Sequence, residues 1–160
     1  PKAVSVSGVT YNKLGQRSHI KTPKTYVAAD QQSNVYDVED LAVALIRFDN
    51  GAALTVETSF SLNIKKDTGS IELFGTKAGA KLDPGLELYS EINDYLVDIT
   101  PVGDTALNFN GLFENEVSHF IDCVVNGTKC ISPAEDGVEM MKILDAIYES
   151  AATNREVILG

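Results

Sequence analysis

The side chains able to do chemistry are few, and most stand far apart. The two histidines, His19 and His119, are a hundred positions from each other, while the two cysteines, Cys123 and Cys130, follow closely on the second of them. Glu116 and His119 are three residues apart and His119 and Cys123 four apart, so on a helix each pair shares a face. Glu-x-x-His is half of a dinuclear carboxylate site, but that site needs a second copy and two further glutamates, and the chain holds no second Glu-x-x-His. A Cys–His pair becomes nucleophilic when the thiol is accessible and an acid orients the imidazole, whereas Cys123 falls inside an apolar helical pattern. These residues therefore read as ordinary contacts flanking an apolar stripe, with no catalytic residue and no metal ligand assigned. Cys123 and Cys130 read as two reduced thiols of a cytoplasmic protein rather than as a disulfide.

Other signatures are missing from the chain. Dinucleotide binding needs Gly-x-Gly-x-x-Gly between a strand and a helix, so that backbone amides can approach phosphate. Gly75 and Gly79 are the nearest candidates, and they join strand to strand. Neither a Walker loop nor Gly-x-Ser-x-Gly occurs. The acidic residues are scattered over turns and helix starts, where they cap and solubilise, and no glycosidase-like carboxylate pair stands out. A net charge of −10 over 160 residues repels phosphate backbones and anionic lipid, which argues against nucleic-acid and membrane partners. No run of about 18 apolar residues exists, so no transmembrane helix is expected, and no secretory leader is visible at the start. With 44% hydrophobic and 22% charged residues, the composition is that of an ordinary globular domain, and the length suggests one of them, residues 1–160.

The elements that would position these residues can be read from periodicity. Residues 3–10 alternate apolar and small polar side chains and predict a strand. Residues 11–37 have no sustained period and predict a long loop or arm. From 38 to 109 the pattern is strand-rich. Leu41, Val43, Leu45 and Arg47 share one face of a strand, and Ala42, Ala44, Ile46 and Phe48 share the other; both are mostly apolar, so both should be covered. Asp49-Asn50-Gly51 turns the chain into a strand over 52–60. Further strands are expected at 70–75, 80–83, 86–92 and 94–100, with turns at Lys77-Ala78-Gly79, Pro84-Gly85 and Asn93-Asp94. Residues 110–154 are helical. Asn110 is the expected N-cap of a helix over 111–126, and Gly127 its left-handed stop. Phe113, Val117, Phe120, Ile121 and Val124 line one face of that helix. Ser132 with Glu135 forms a capping box around Pro133, opening a helix that runs to about Ala152. Its apolar residues at 138, 140, 141, 143, 144, 147 and 148 wrap most of the circumference, so deep packing is expected. A last strand lies at 155–159. Strands followed by helices predict an α+β fold: an open, mostly antiparallel or mixed sheet with helices packed on one face. The uncovered face is then a candidate interface.

One ordered series stands out: Val38-Glu39-Asp40, the two long strands, Leu73-Phe74-Gly75-Thr76-Lys77-Ala78-Gly79, Phe113-x-x-Glu116-x-x-x-Phe120, Ser132-Pro133-Ala134-Glu135-Asp136-Gly137, Asp145-Ala146-Ile147-Tyr148-Glu149-Ser150-Ala151 and Glu156-Val157-Ile158-Leu159. In this order and spacing it resembles the C-terminal domain of the glucose–fructose oxidoreductase and inositol dehydrogenase family (Gfo/Idh/MocA). The resemblance covers the whole chain and is most secure over 38–160. It implies an N-terminal Rossmann domain, upstream of Pro1, that binds NAD or NADP and carries the catalytic groups, so that this chain itself binds no cofactor. The resemblance also implies pairing of the open sheet face with another subunit, as a homo-oligomer, and a sugar-like small-molecule substrate walled by loops at one edge.

Substrate-facing residues follow from that resemblance. The loop after the second long strand reaches the substrate in some members, which nominates Asn63, Lys65 and Lys66 as hydrogen-bond donors to hydroxyls, and Phe60 stands where an aromatic is usual. The arm supplies Arg17, His19 and Tyr36, side chains suited to polyols or phosphates. Glu39-Asp40 resembles a family signature, and its position at a strand start gives it a structural task. The function so implied is that of the substrate-side, oligomerising domain of an NAD(P)-dependent oxidoreductase on sugars, polyols or related compounds. The alternative is a stand-alone binding or dimerisation module without catalytic activity.

Overall fold

The computed structural model describes residues 1–14, 37–66, 68–82, 85–103 and 110–160. In chain order the elements are β1 (Ala3–Tyr11), β2 (Leu41–Phe48), β3 (Ala53–Ser59), β4 (Ile71–Phe74), β5 (Ala78–Leu82), β6 (Glu87–Ile92), β7 (Tyr95–Ile99), α1 (Leu112–Asn126), α2 (Ala134–Thr153) and β8 (Val157–Ile158). The fold is α+β, as the sequence predicts. Its strands are shared between two four-stranded antiparallel sheets, ordered β3-β2-β1-β8 and β4-β5-β6-β7. They belong to two compact units, residues 1–63 with 131–160, and residues 64–130.

In the first unit, Asp49-Asn50-Gly51 makes the β2–β3 hairpin as expected. Gly51 takes φ 86°, and the ladder closes through Phe48 N–H donating to Ala52 O at 2.9 Å. Antiparallel register sets Val6 opposite Ile46 and Gly8 opposite Ala44, so these four positions share one face. Val6, Ala44 and Ile46 are buried there against Ala146 and Ile147 of α2. Burying side chains of this size stabilises by about 1.5–3 kcal/mol each for the larger ones. On the opposite face Val9 and Val43, directly paired, are 41% and 37% exposed. That face is thus less covered than its apolar pattern suggests.

Gly8 decides how closely α2 can approach. A Cβ at this position would lie 3.0 Å from Ile147 Cγ2 and 3.3 Å from the Ile147 backbone, so any other residue would have to push the helix back by a few tenths of an ångström. The β8 pairing reaches no further along β1 than Val6. Two residues on, Gly8 N–H donates to Ser150 Oγ at 2.9 Å, and that hydroxyl donates to Arg155 O at 2.6 Å. Ser150, 2% exposed, therefore bridges β1 to the turn after α2.

The second unit holds a meander. Its β6–β7 turn uses Asn93 and Asp94 at φ 52° and 66°, the left-handed values a two-residue hairpin requires. The β4–β5 turn lies one step earlier than the sequence suggests. Gly75 N–H donates to Ala78 O, and Gly79 sits inside β5 opposite Phe74. α1 belongs to this unit and has no buried residue; Phe113 and Phe120 are exposed.

Both helix starts differ from the sequence expectation. Gly111, at φ 76°, holds the cap position of α1 instead of Asn110. α2 begins after Pro133, whose extended backbone occupies the cap position, and neither helix has a side-chain cap hydrogen bond. A glycine already left-handed, or a proline already at the right φ, turns the chain without help from a side chain. The expected Gly127 stop is present at φ 69°. α2 is also less enclosed than its composition suggests. Ala146, Ile147 and Ser150 are buried, whereas Val138, Met140, Met141 and Tyr148 are exposed. A single sheet can cover only one side of a helix. No helix among the described residues is long and apolar enough to cross a membrane.

The seam between β1 and α2 makes a testable demand. Gly8→Ala overpacks it and should lower stability by about 1–3 kcal/mol. Ser150→Ala strands a buried amide and a carbonyl, and should lower it by a similar 1–3 kcal/mol or so. Urea unfolding with an unchanged slope and a lower midpoint is the expected result for both; unchanged midpoints would show that α2 does not rest on Gly8.

Candidate functional site

Asp40 organises one rim of the first unit. Its backbone N–H donates to Tyr11 O at 2.8 Å, ending the β1–β2 ladder. Its side chain is 2% exposed, and a carboxylate so enclosed must be hydrogen-bonded to remain ionised without a large penalty. Oδ2 accepts the backbone amides of Lys13, at 2.5 Å, and of Leu14. Asp40 O accepts the Ser59 hydroxyl at 2.5 Å. Ser59 Oγ in turn accepts Ser61 N–H, and Ser61 Oγ donates to Leu14 O. The end of β1, the start of β2 and the end of β3 are therefore tied into one knot. The structural task expected for Asp40 is the one it performs.

Two candidate substrate-facing segments leave from this knot. The arm departs after Leu14. Its nominated residues Arg17, His19 and Tyr36 lie outside the described residues. The loop departs after Ser59 and carries Phe60, 67% exposed, followed by exposed Asn63, Lys65 and Lys66. These four are near one another along the chain rather than gathered from separate elements. Phe60 and Asn63 close a stretch of the first unit, and Lys65 and Lys66 lie at the start of the second. Within the first unit, the exposed Phe60 ring presents an apolar face and Asn63 an amide that can donate and accept.

Glu39 adds a tether from outside the knot. Tyr148 OH, on α2, donates to Glu39 Oε2 at 2.8 Å. The carboxylate beside it holds the Tyr148 phenol above its ordinary range, because ionisation would break the hydrogen bond and set two negative charges together. A wide hollow of about 450 Å³ also lies in the first unit, lined in part by Ser7, Val43, Thr55, Ser150 and Glu156. Of the nominated residues that are described, Phe60, Asn63, Lys65 and Lys66 do not line it, and Glu156 is engaged there with Arg47.

In the second unit the helix spacing of His119 and Cys123 brings Nε2 and Sγ to 3.5 Å. Cys130, which the linear sequence does not connect to them, joins the pair, and the three ligand atoms lie within 4.8 Å of one another. Burial pushes the Cys123 thiol up, and the neighbouring Cys130 pushes it further. A raised thiol pKa lowers the thiolate fraction and with it the nucleophilicity of Cys123.

The family model described as oxidoreductase family, C-terminal alpha/beta domain, matches residues 14–159. The chain is 30% identical over 162 residues to the D-glucoside 3-dehydrogenase of Escherichia coli (strain K12), covering 99% of this chain and 43% of that protein. It thus spans less than half the length of the curated relative it matches. A structure of levoglucosan dehydrogenase in complex with NADH aligns with 99% of this chain and 45% of its own, at TM-score 0.73 and 20% identity. The aldose-aldose oxidoreductase from Caulobacter crescentus, complexed with glycerol, aligns with 99% of this chain and 42% of its own, at TM-score 0.65 and 20% identity. At that identity these two show a shared fold.

Removing the knot should be felt at both segments. Asp40→Ala leaves two amides without their acceptor and should lower stability by about 1–3 kcal/mol, with faster amide hydrogen exchange at 12–14 and 59–61. Exchange confined to its wild-type rates would show that the carboxylate does not hold the rim. Tyr148 offers a pH test. Its folded pKa is raised, so the Glu39 contact is fully present below about pH 10 and is lost as pH rises through the folded midpoint. Tyr89, bonded to Glu87, is raised as well, so tyrosinate absorbance should show late titration from both, and Glu39→Gln should return only the Tyr148 component toward the ordinary range.

Proposed function

Since the chain belongs to the Gfo/Idh/MocA oxidoreductase family as a C-terminal alpha/beta domain, we propose that residues 1–160 act as one substrate-side and oligomerising domain of an NAD(P)-dependent, cytoplasmic oxidoreductase on sugars, polyols or related compounds. The observation that carries this reading is the family match over 14–159, joined to 30% identity with a D-glucoside 3-dehydrogenase along nearly the whole chain. In the parent reaction a carbinol carbon gives up a hydride to the nicotinamide and its hydroxyl gives up a proton, leaving a carbonyl. These residues offer no cradle for the dinucleotide, because no glycine-rich loop joins a strand to a helix in the sequence. Dinucleotide binding is therefore assigned to a Rossmann domain outside them.

Within this reading the chain contributes position and recognition. The buried Asp40 carboxylate holds the roots of the arm and of the loop at one rim. Phe60 packs against the apolar face of the substrate, and Asn63, Lys65 and Lys66 donate to its hydroxyls. Arg17, His19 and Tyr36 complete the recognition from the arm. The less covered sheet face, with Val9 and Val43, is assigned to a second copy of the subunit. A stable interface of this kind buries on the order of 2,000 Å².

The protein carrying this chain together with its dinucleotide domain should reduce NAD or NADP with D-glucosides or related sugars. Asn63→Ala, Lys65→Ala and Lys66→Ala should each raise KM by about fivefold, the worth of roughly 1 kcal/mol of hydrogen bonding, with kcat little changed. An active protein indifferent to all three replacements would place the substrate elsewhere. Saturable NADH binding by residues 1–160 alone would reassign the cofactor site, and absence of any partnering dinucleotide domain would favour the stand-alone module. For assembly, light scattering should report a dimer or larger species, and Val43→Glu should dissociate it by burying an unpaired charge. A wild-type monomer at high concentration would remove the sheet face as an interface.

A further inference from the structure

His119, Cys123 and Cys130 take no part in the substrate reading, yet they combine one imidazole and two thiols, the donor set that soft and borderline transition metals prefer. Local structure assembles them in three steps. His119 and Cys123 stand one turn apart on α1, which sets their donor atoms side by side. α1 then ends at Gly127, whose left-handed φ of 69° reverses the chain. Asp122 holds the reversed segment down: its carboxylate accepts from Asn126 Nδ2 at 2.6 Å and from the Thr128 side chain. Cys130, two residues beyond Thr128, thereby arrives beside the other two ligands.

We propose that His119, Cys123 and Cys130 form a binding site for a soft or borderline divalent cation, with Zn²⁺ the best fit. Ligand atoms around a tetrahedral Zn²⁺ stand about 3.5–4 Å apart, given Zn–S of ~2.3 Å and Zn–N of ~2.0–2.1 Å. The observed spread of up to 4.8 Å closes to that geometry with a small shift of the exposed Cys130. Two thiolates balance the charge of the ion, and water takes the fourth position. Mg²⁺ and Ca²⁺ are excluded by their demand for oxygen ligands. The ion would tie the end of α1 to the segment that follows it. That tie matters for a helix with no buried residue of its own.

The test is a titration of the reduced, metal-stripped protein with Co²⁺ alone. One equivalent should bind with thiolate-to-cobalt charge-transfer absorption and a tetrahedral visible spectrum, and Zn²⁺ should bleach both. Cys123→Ser, Cys130→Ser and His119→Gln should each weaken binding by more than the roughly 10–100-fold that loss of an outer-shell partner brings. Asp122→Asn, a positioning residue, should weaken binding while the thiolate band keeps its shape. A readout without variants is the rate at which a thiol reagent modifies the wild-type protein, which Zn²⁺ should slow. Co²⁺ binding without a thiolate band, binding undiminished in Cys130→Ser, or thiol reactivity indifferent to Zn²⁺ would each overturn the proposal.

Discussion

The first unit depends on a buried carboxylate. Asp40 lies where three strand ends meet, and a charge almost removed from water is tolerable only when hydrogen bonds replace its hydration. The amides of Lys13 and Leu14 supply that replacement, and hydrogen bonds to a charged acceptor are roughly twice as strong as neutral ones. The constraint runs in both directions. The amides fix the carboxylate, and the carboxylate fixes where the chain leaves β1 and re-enters at β2. Ser59 and Ser61 extend the same constraint to the end of β3. Loops can differ in length and chemistry beyond this point while their roots remain where the rim holds them.

The second constraint acts on the same strand from the helix side. Gly8 gives α2 a place to lie close, and Ser150 repairs the hydrogen bonding that β8 is too short to complete. Half-exposed ion pairs such as Arg47–Glu156 contribute little by comparison, because solvent screens them. Among the described residues, the long-range polar ties of this unit thus rest mainly on the buried Asp40 carboxylate and the buried Ser150 hydroxyl, with Ser5 a further buried hydroxyl. Asp40 and Ser150 both act on β1, which is also the strand shared by β2 and β8. The Tyr148–Glu39 hydrogen bond adds a second tie between α2 and the residue preceding Asp40.

Much of this was legible in the residues. The strand over Leu41–Phe48 is where alternation puts it, Gly127 stops α1, and Asn93-Asp94 turns the last hairpin. Such features depend on neighbours in sequence, and local chemistry decides them. Partitioning the strands into two sheets was not legible, because a period of two identifies a strand without identifying its partner. The caps of α1 and α2 were misread for a related reason. Asn110 and Ser132 have the right side chains, but Gly111 and Pro133 have backbones that already satisfy the turn. Asp40 could be placed at a strand start, while its burial depends on Lys13 and Leu14, some twenty-six residues earlier. Cys130 escaped notice because its meeting with His119 requires a left-handed turn and the Asp122 clamp together. Of the nominated substrate residues, Phe60, Asn63, Lys65 and Lys66 are exposed, and Arg17, His19 and Tyr36 lie outside the described residues.

The distribution of apolar surface ties these points to the family reading. The described core of the first unit is small: Val6, Ala44 and Ile46 from the sheet, with Ala146 and Ile147 from the helix. Around it, Val9, Val43, Val138, Met140 and Met141 are left partly in water. Scattered exposed apolar residues need no explanation, but Val9 and Val43 form a direct cross-strand pair on a face whose neighbours are also largely uncharged. Among the described residues, α2 covers one face of this sheet, and the apolar pattern of the other face leaves Val9 and Val43 partly exposed. A rim tied by the buried Asp40 carboxylate and a partly exposed apolar face are the two features on which the proposed substrate and subunit contacts rest.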